Sequence, residues 1–226
     1  MKKIFKLTAL LLLVGALVMG CKNNGDPDAL PGTWTNTAEL YQSWVAPFDV
    51  GTLSASDYTV TYELKQPSAL SAEDKPTQSG TYTATSYNVT KDQNFTGFRA
   101  TVNSNITGGC GFIFCRNVDE NGKWSYYYMY INKSGKFKID RGIKGDWATV
   151  KSWDESDAAN GKTNEVLVYT DKSKNIVVKI NGKEVATIKD PELKSGGVGV
   201  VCAVGYDDLI ADTPLKAVYQ FKEFQY

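Results

Sequence analysis

The stretch Trp124-Ser125-Tyr126-Tyr127-Tyr128-Met129-Tyr130-Ile131 carries the residue types and spacing best suited to a binding chemistry. A period of two sorts it into Trp124, Tyr126, Tyr128 and Tyr130 on one face and Tyr127, Met129 and Ile131 on the other. In the next apolar run, Phe137 and Ile139 alternate with Lys136, Lys138 and Asp140. Paired in phase, the two runs set a row of phenol rings beside Lys138 and Asp140, which would stand at its rim, with Arg116 at its edge. A flat aromatic surface with a charged border fits a sugar ring, which offers an apolar C–H face and a rim of hydroxyls. The plain alternative is sheet stability. Tyrosine suits a half-buried pleated surface, and aromatic cross-strand pairs hold sheets together without binding anything.

Other chemistries find less support. The chain has no histidine, which removes the commonest general base, the commonest transition-metal ligand and any Ser-His or Cys-His nucleophile pair. Lys+Arg and Asp+Glu balance at 25 each, so no excess of positive charge is available to hold a phosphate backbone. Nucleic acid is therefore not an expected partner. Cys110, Cys115 and Cys202 lack the spacing of a zinc site. They allow either one disulfide with one free thiol or three buried thiols acting as small apolar groups. Cys110 and Cys115 stand roughly 16 Å apart on one extended strand and on opposite faces, so a disulfide would have to use Cys202. Cys110 is its better partner, because it shares the phase of Phe112 and Phe114 and would lie beside an antiparallel neighbour ending near Cys202.

These residues need strands to hold them, and strand signals run almost to the end of the chain. Candidate strands are Gly32–Asn36, Tyr58–Lys65, Thr81–Asn88, Thr96–Asn103, Gly111–Asn117, Trp124–Ile131 and Lys136–Arg141. Beyond them come Trp147–Trp153, Asn164–Thr170, Asn175–Ile180, Glu184–Lys189, Val198–Val204 and Ala217–Tyr226. Many short strands broken by Gly, Asn and Asp turns predict an all-β fold, a sandwich or a barrel. Asn181-Gly182 between NIVVKI and KEVATI is the signal of a two-residue type I′ hairpin. In the last strand Tyr219 and Phe221 are out of step with Phe224 and Tyr226, which predicts a bulge near Lys222-Glu223. Gln66–Gly80 is polar and reads as a loop.

The succession GFIFCRN, SYYYMYIN, GKFKIDRGIKGDWATVKSW, NEVLVYTD, NIVVKINGKEVATI and GGVGVVCAVG resembles the concanavalin A-like lectin/glucanase jelly roll, and within it the laminin G-like domains. The resemblance runs from about Thr96 to Tyr226 and implies a two-sheet antiparallel β-sandwich with a ligand face on its concave side. The family's arginine after G-F-I-F falls one place later here, at Arg116, with Cys115 in its usual position. Glucanases of this fold carry an E-x-D-x-x-E strand, and a retaining pair needs carboxyl groups about 5–5.5 Å apart. The nearest match, Glu155-Ser156-Asp157-Ala158-Ala159-Asn160, has Asn160 in the last place and sits in a polar loop. The resemblance also raises a structural calcium ion, with Asp119-Glu120-Asn121-Gly122 and Asp207, Asp208 and Asp212 as candidates; turn chemistry explains both more simply, and no cofactor is expected.

The first residues, MKKIFKLTALLLLVGALVMGC, combine Lys2, Lys3 and Lys6 with an apolar run too short for a comfortable permanent span. They read as an export signal. The ending Val18-Met19-Gly20-Cys21 resembles the lipobox of bacterial lipoproteins, which implies cleavage before Cys21 and acyl chains upon it. Lys22–Leu30 is polar and reads as a tether. The expected organisation is a signal peptide over 1–20, a lipidated cysteine and tether over 21–30, and a β-sandwich over 31–226. Such a protein would sit in a bacterial cell envelope, outside the cytoplasm, held to a membrane through Cys21. Its expected role is non-catalytic binding of a glycan. A protein ligand is the alternative, and glycoside hydrolysis the third reading.

Overall fold

Alternation of apolar and polar residues, cut by turns with positive φ, folds this chain into strands. The computed structural model describes residues 51–70, 72, 75, 81–89, 94–189 and 191–226. The expected signal peptide, Cys21, the tether and the strand Gly32–Asn36 lie outside the described residues. The strands are β1 (Gly51–Ser56), β2 (Thr59–Leu64), β3 (Thr81–Asn88), β4 (Gly97–Ser104), β5 (Gly109–Val118), β6 (Trp124–Ile131) and β7 (Lys136–Ile143). They continue as β8 (Asp146–Glu155), β9 (Thr163–Thr170), β10 (Ile176–Ile180), β11 (Lys183–Ile188), β12 (Gly197–Gly205) and β13 (Lys216–Gln225). Pro67–Ala69 makes one 3₁₀ turn in the expected loop, and Tyr206–Leu209 a single helical turn.

The strands form two antiparallel sheets, in the orders β1-β2-β13-β4-β9-β10-β11 and β3-β12-β5-β6-β7-β8. This is the jelly-roll sandwich expected from the sequence. One side of each sheet feeds a shared core of Tyr62, Phe98, Phe112, Phe114, Tyr127, Met129, Ile139, Tyr219, Phe221 and Phe224, all nearly inaccessible to water. Phe98 packs against Phe112 and Phe221 with ring centroids 5.2 and 5.7 Å apart, so the sheets interlock through aromatic pairs. Each such buried ring contributes roughly 1.5–3 kcal/mol. Among these central rings the Tyr219 hydroxyl donates to Val201 O at 2.8 Å.

Local chemistry sets the register. Asn181 and Gly182 have φ of 49° and 82°, the double positive of a type I′ turn between β10 and β11. In β13 the pairing with β4 slips between Phe221 and Glu223, the bulge that lets both Phe221 and Phe224 reach the core. A second bulge sits in β5. Phe114 faces Tyr127 and Asn117 faces Ser125, so Cys115 and Arg116 together oppose Tyr126 alone. Cys115 takes φ of 51° there and turns inward to a buried position. Burial pushes its thiol up to about 12. Cys110 and Cys202 are direct register partners on β5 and β12, as their phases predict, and both are thiols in the structure.

Candidate functional site

The outer face of the six-stranded sheet carries the tyrosine row. Tyr127, Met129 and Ile131 fill the core, while Tyr126, Tyr128 and Tyr130 are half-buried on the opposite side. Register places Tyr128 across from Asp140, and Tyr130 across from Lys138, on β7. The expected neighbours are therefore brought together. Arg116 lies with its guanidinium 3.4 Å from the centre of the Trp124 ring, at the Tyr126 end of the row.

Two features correct the expectation. Asp140 is not a rim group: it is only 4% exposed and forms the floor beside Tyr128. Its Oδ2 accepts from the Tyr128 hydroxyl at 2.9 Å and pairs with Lys138 Nζ at 2.5 Å. Lys138 is thereby committed to Asp140. The other carboxylate oxygen, Oδ1, is buried without a hydrogen-bond partner among the described residues. Burial first, and its hydrogen bond to Asp140 second, push the Tyr128 phenol well above its ordinary range, so the ring keeps its proton. Burial does the same for Tyr130.

The second correction is that a tryptophan completes the row. Lys144 and Gly145, with φ of 51° and 100°, make a two-residue turn that folds β8 back on β7 and pairs Trp147 with Gly142. The indole lies over Gly142, where a Cβ would stand 2.8 Å from it. Trp147 meets Tyr126 and Tyr128 edge-on, at centroid distances of 5.6 and 5.7 Å, yet stays 59% exposed. It is the most exposed ring of the cluster. Trp153 approaches the other end, 3.5 Å from where a Gly109 side chain would begin and near Tyr130. Tyr128, Lys138, Asp140, Trp147, Ala148 and Thr149 line an open groove of about 210 Å³. Its lining joins aromatic rings to the polar side chains of Lys138, Asp140 and Thr149.

The remaining candidates have structural partners. Asp119 Oδ1 accepts from the backbone N–H groups of Asn121 and Lys123, both at 2.9 Å, and ties the β5–β6 hairpin. Asp208 is buried and takes hydrogen bonds from Thr107 N, Thr107 Oγ1, Gly108 N and Gly205 N. Four donors saturate it. Among the described residues no three acidic, thiol or imidazole groups converge on one point. Glu155 pairs with Lys136 at 2.8 Å and Asp157 with Lys183, on the surface. Asp140 is the one carboxylate lining the groove among the described residues.

No protein-family model matches the chain, and no curated protein matches it in sequence. Solved structures do resemble it. The carbohydrate-binding module CBM66 from Bacillus subtilis superposes with a TM-score of 0.51 at 10% identity, over 85% of this chain and 98% of that one. A native glycosidic hydrolase does so with a TM-score of 0.51 at 13% identity, over 85% of this chain and 97% of that one. At such identities the likeness establishes the fold, and the chemistry must come from the groove itself.

Proposed function

We propose that this protein is a non-catalytic glycan-binding module of a bacterial cell envelope, exported and held to a membrane by lipid on Cys21. The observation that carries the reading is the exposed Trp147 indole, which stands edge-on to Tyr126 and Tyr128 in the wall of the open groove. The polar residues that line the groove beside it, Lys138, Asp140 and Thr149, suit the hydroxyl rim of a sugar. Trp147 offers the apolar face of that sugar an exposed indole beside Tyr126 and Tyr128.

Hydrolysis fits less well. A glycosidase of the usual kind sets two carboxyl groups across the scissile bond, either about 5–5.5 Å apart or about 6.5–9.5 Å apart. The groove supplies Asp140, and one of its oxygens is already held by Lys138 and Tyr128. A glycan array probed with the chain from Lys22 onward tests the proposal. Selective retention of one glycan class, lost in Trp147→Ala and in Asp140→Asn, is the expected result. Retention of no glycan, or retention unchanged in both variants, would overturn it.

A further inference from the structure

We infer that Cys110 and Cys202 close into a disulfide that staples β5 to β12, and that the bond is made while the chain folds rather than afterwards. The two residues face one another in register across antiparallel strands. Facing residues in such a pair have Cα atoms about 4.5–5.5 Å apart, inside the roughly 4.4–6.8 Å span of a disulfide. Their Sγ atoms stand 3.1 Å apart, so both side chains already point at each other and no backbone movement is needed.

The two sulfurs have different surroundings. Ser104 Oγ donates to Cys110 Sγ at 3.2 Å, and Cys202 lies ready to donate its S–H to the same atom. Against the burial that opposes charge, these hydrogen bonds bring the Cys110 thiol below its ordinary value, whereas burial pushes Cys202 up. These contacts belong to the closed sheet; in the open chain either thiol can attack first, and Cys110 stands for both. Cys115 sits buried at the β5 bulge and is the register partner of neither cysteine, so native pairing leaves it out.

The oxidant is an external disulfide, carried by an oxidoreductase or a small thiol. The Cys110 thiolate attacks one of its sulfurs, forming a mixed disulfide and expelling one thiolate. Cys202, losing its proton, then attacks Cys110 Sγ and expels the second. Two S–H bonds are lost, one S–S bond is gained, and the oxidant takes the two electrons as two thiols. Cys110 and Cys202 are only 1% and 2% exposed in the folded sheet, which leaves no room for a second disulfide to approach. Exchange therefore belongs to the stage before β12 docks on β5, and the finished sheet protects whichever state it closes over.

The test uses the full chain, with oxidised glutathione as the probe. Chain denatured, reduced and refolded in oxidised glutathione should carry two fewer blocking groups than the reduced form after thiol-blocking. Peptide mapping should join Cys110 to Cys202 and find Cys115 blocked as a free thiol. Reduced chain that is already folded should stay reduced in the same buffer. The Cys115→Ser variant should refold to the same linkage, and the wild-type map decides the matter if that variant does not fold. A map joining Cys115 to either partner, or Cys110 and Cys202 both blocked after refolding, would refute the staple. Rapid oxidation of the folded reduced chain would refute the folding-stage argument. None of these outcomes depends on a glycan.

Discussion

Replacing Gly142 with alanine moves one ring and little else. A Cβ at this position would stand 2.8, 2.9 and 3.0 Å from Cζ3, Cη2 and Cε3 of Trp147. These are its nearest neighbours, and all belong to one indole. Gly142 is not among the residues with positive φ, so β7 itself accepts the methyl. Trp147 is 59% exposed and has room to swing outward. In doing so it gives up two edge-on contacts, with Tyr126 and Tyr128. At about 0.5–1.5 kcal/mol each these total ~1–3 kcal/mol. Removing a glycine from a strand interior returns about 0.5–1 kcal/mol. The net cost is then ~0–2.5 kcal/mol, which for a domain of this size lowers Tm by at most roughly 10 °C. Affinity for the glycan retained on the array should fall about tenfold, since the groove loses its aromatic wall. Calorimetric titration measures the affinity. Indole N–H resonances, assigned with Trp147→Phe, report whether Trp147 alone moves while Trp124 and Trp153 stay. An unshifted Trp147 resonance with unchanged affinity would mean the indole does not lie on Gly142. A Tm drop well beyond the stated range would mean that backbone fills the space.

Two further outcomes follow from the faces of β6 and from the first residues. Tyr127 is 1% exposed and stacks on Phe114 at 5.4 Å, so Tyr127→Ala should cost ~3–5 kcal/mol in urea unfolding. Tyr128→Ala, on the half-buried face, should cost less than about 2 kcal/mol yet abolish glycan retention; the reverse ranking would put the row in the core. Cys21→Ser should lose labelling by a fatty-acid analogue and leave the membrane fraction, because acyl chains hold at roughly 0.8 kcal/mol per buried methylene. Persistent labelling of that variant would dismiss the lipobox.

The sandwich was legible because its interior obeys a simple rule. Tyr127, Met129 and Ile131, or Phe112 and Phe114, recur every second residue, and a strand with one buried face has no other way to place them. The slip in β13 was legible for the same reason, since Phe221 and Phe224 cannot both be buried without an extra residue between them. Strand β1 was not. GTLSAS offers no apolar alternation, and as an edge strand it needs little. Strand β8 is the other edge of its sandwich, exposed along most of its length and twice out of register with β7. Its period predicts nothing about where Trp147 points. The usable signal was the Lys144-Gly145 turn, which sets the residue two before it opposite the residue two after it: Gly142, with no side chain, against Trp147, with the largest.

Asp140 shows the limit of periodicity most clearly. Alternation with Phe137 and Ile139 puts it on the outer face, and an acid on an outer face reads as solvated. What buries it comes from other strands: the Tyr128 ring from β6 and the Trp147 wall from β8. No pattern within β7 contains that information. Yet this residue bears most on the choice between binding and hydrolysis, which the sandwich, shared by a carbohydrate-binding module and a glycosidic hydrolase, leaves open. A hydrolytic pair needs each carboxyl group free to move a proton or attack a carbon. Asp140 spends one oxygen on Lys138 and Tyr128 and keeps the other as a fixed, buried acceptor. Among the described residues that line the groove no second carboxylate stands across a bond from it. The contacts that bury Asp140 thus weigh against its serving as half of a catalytic pair.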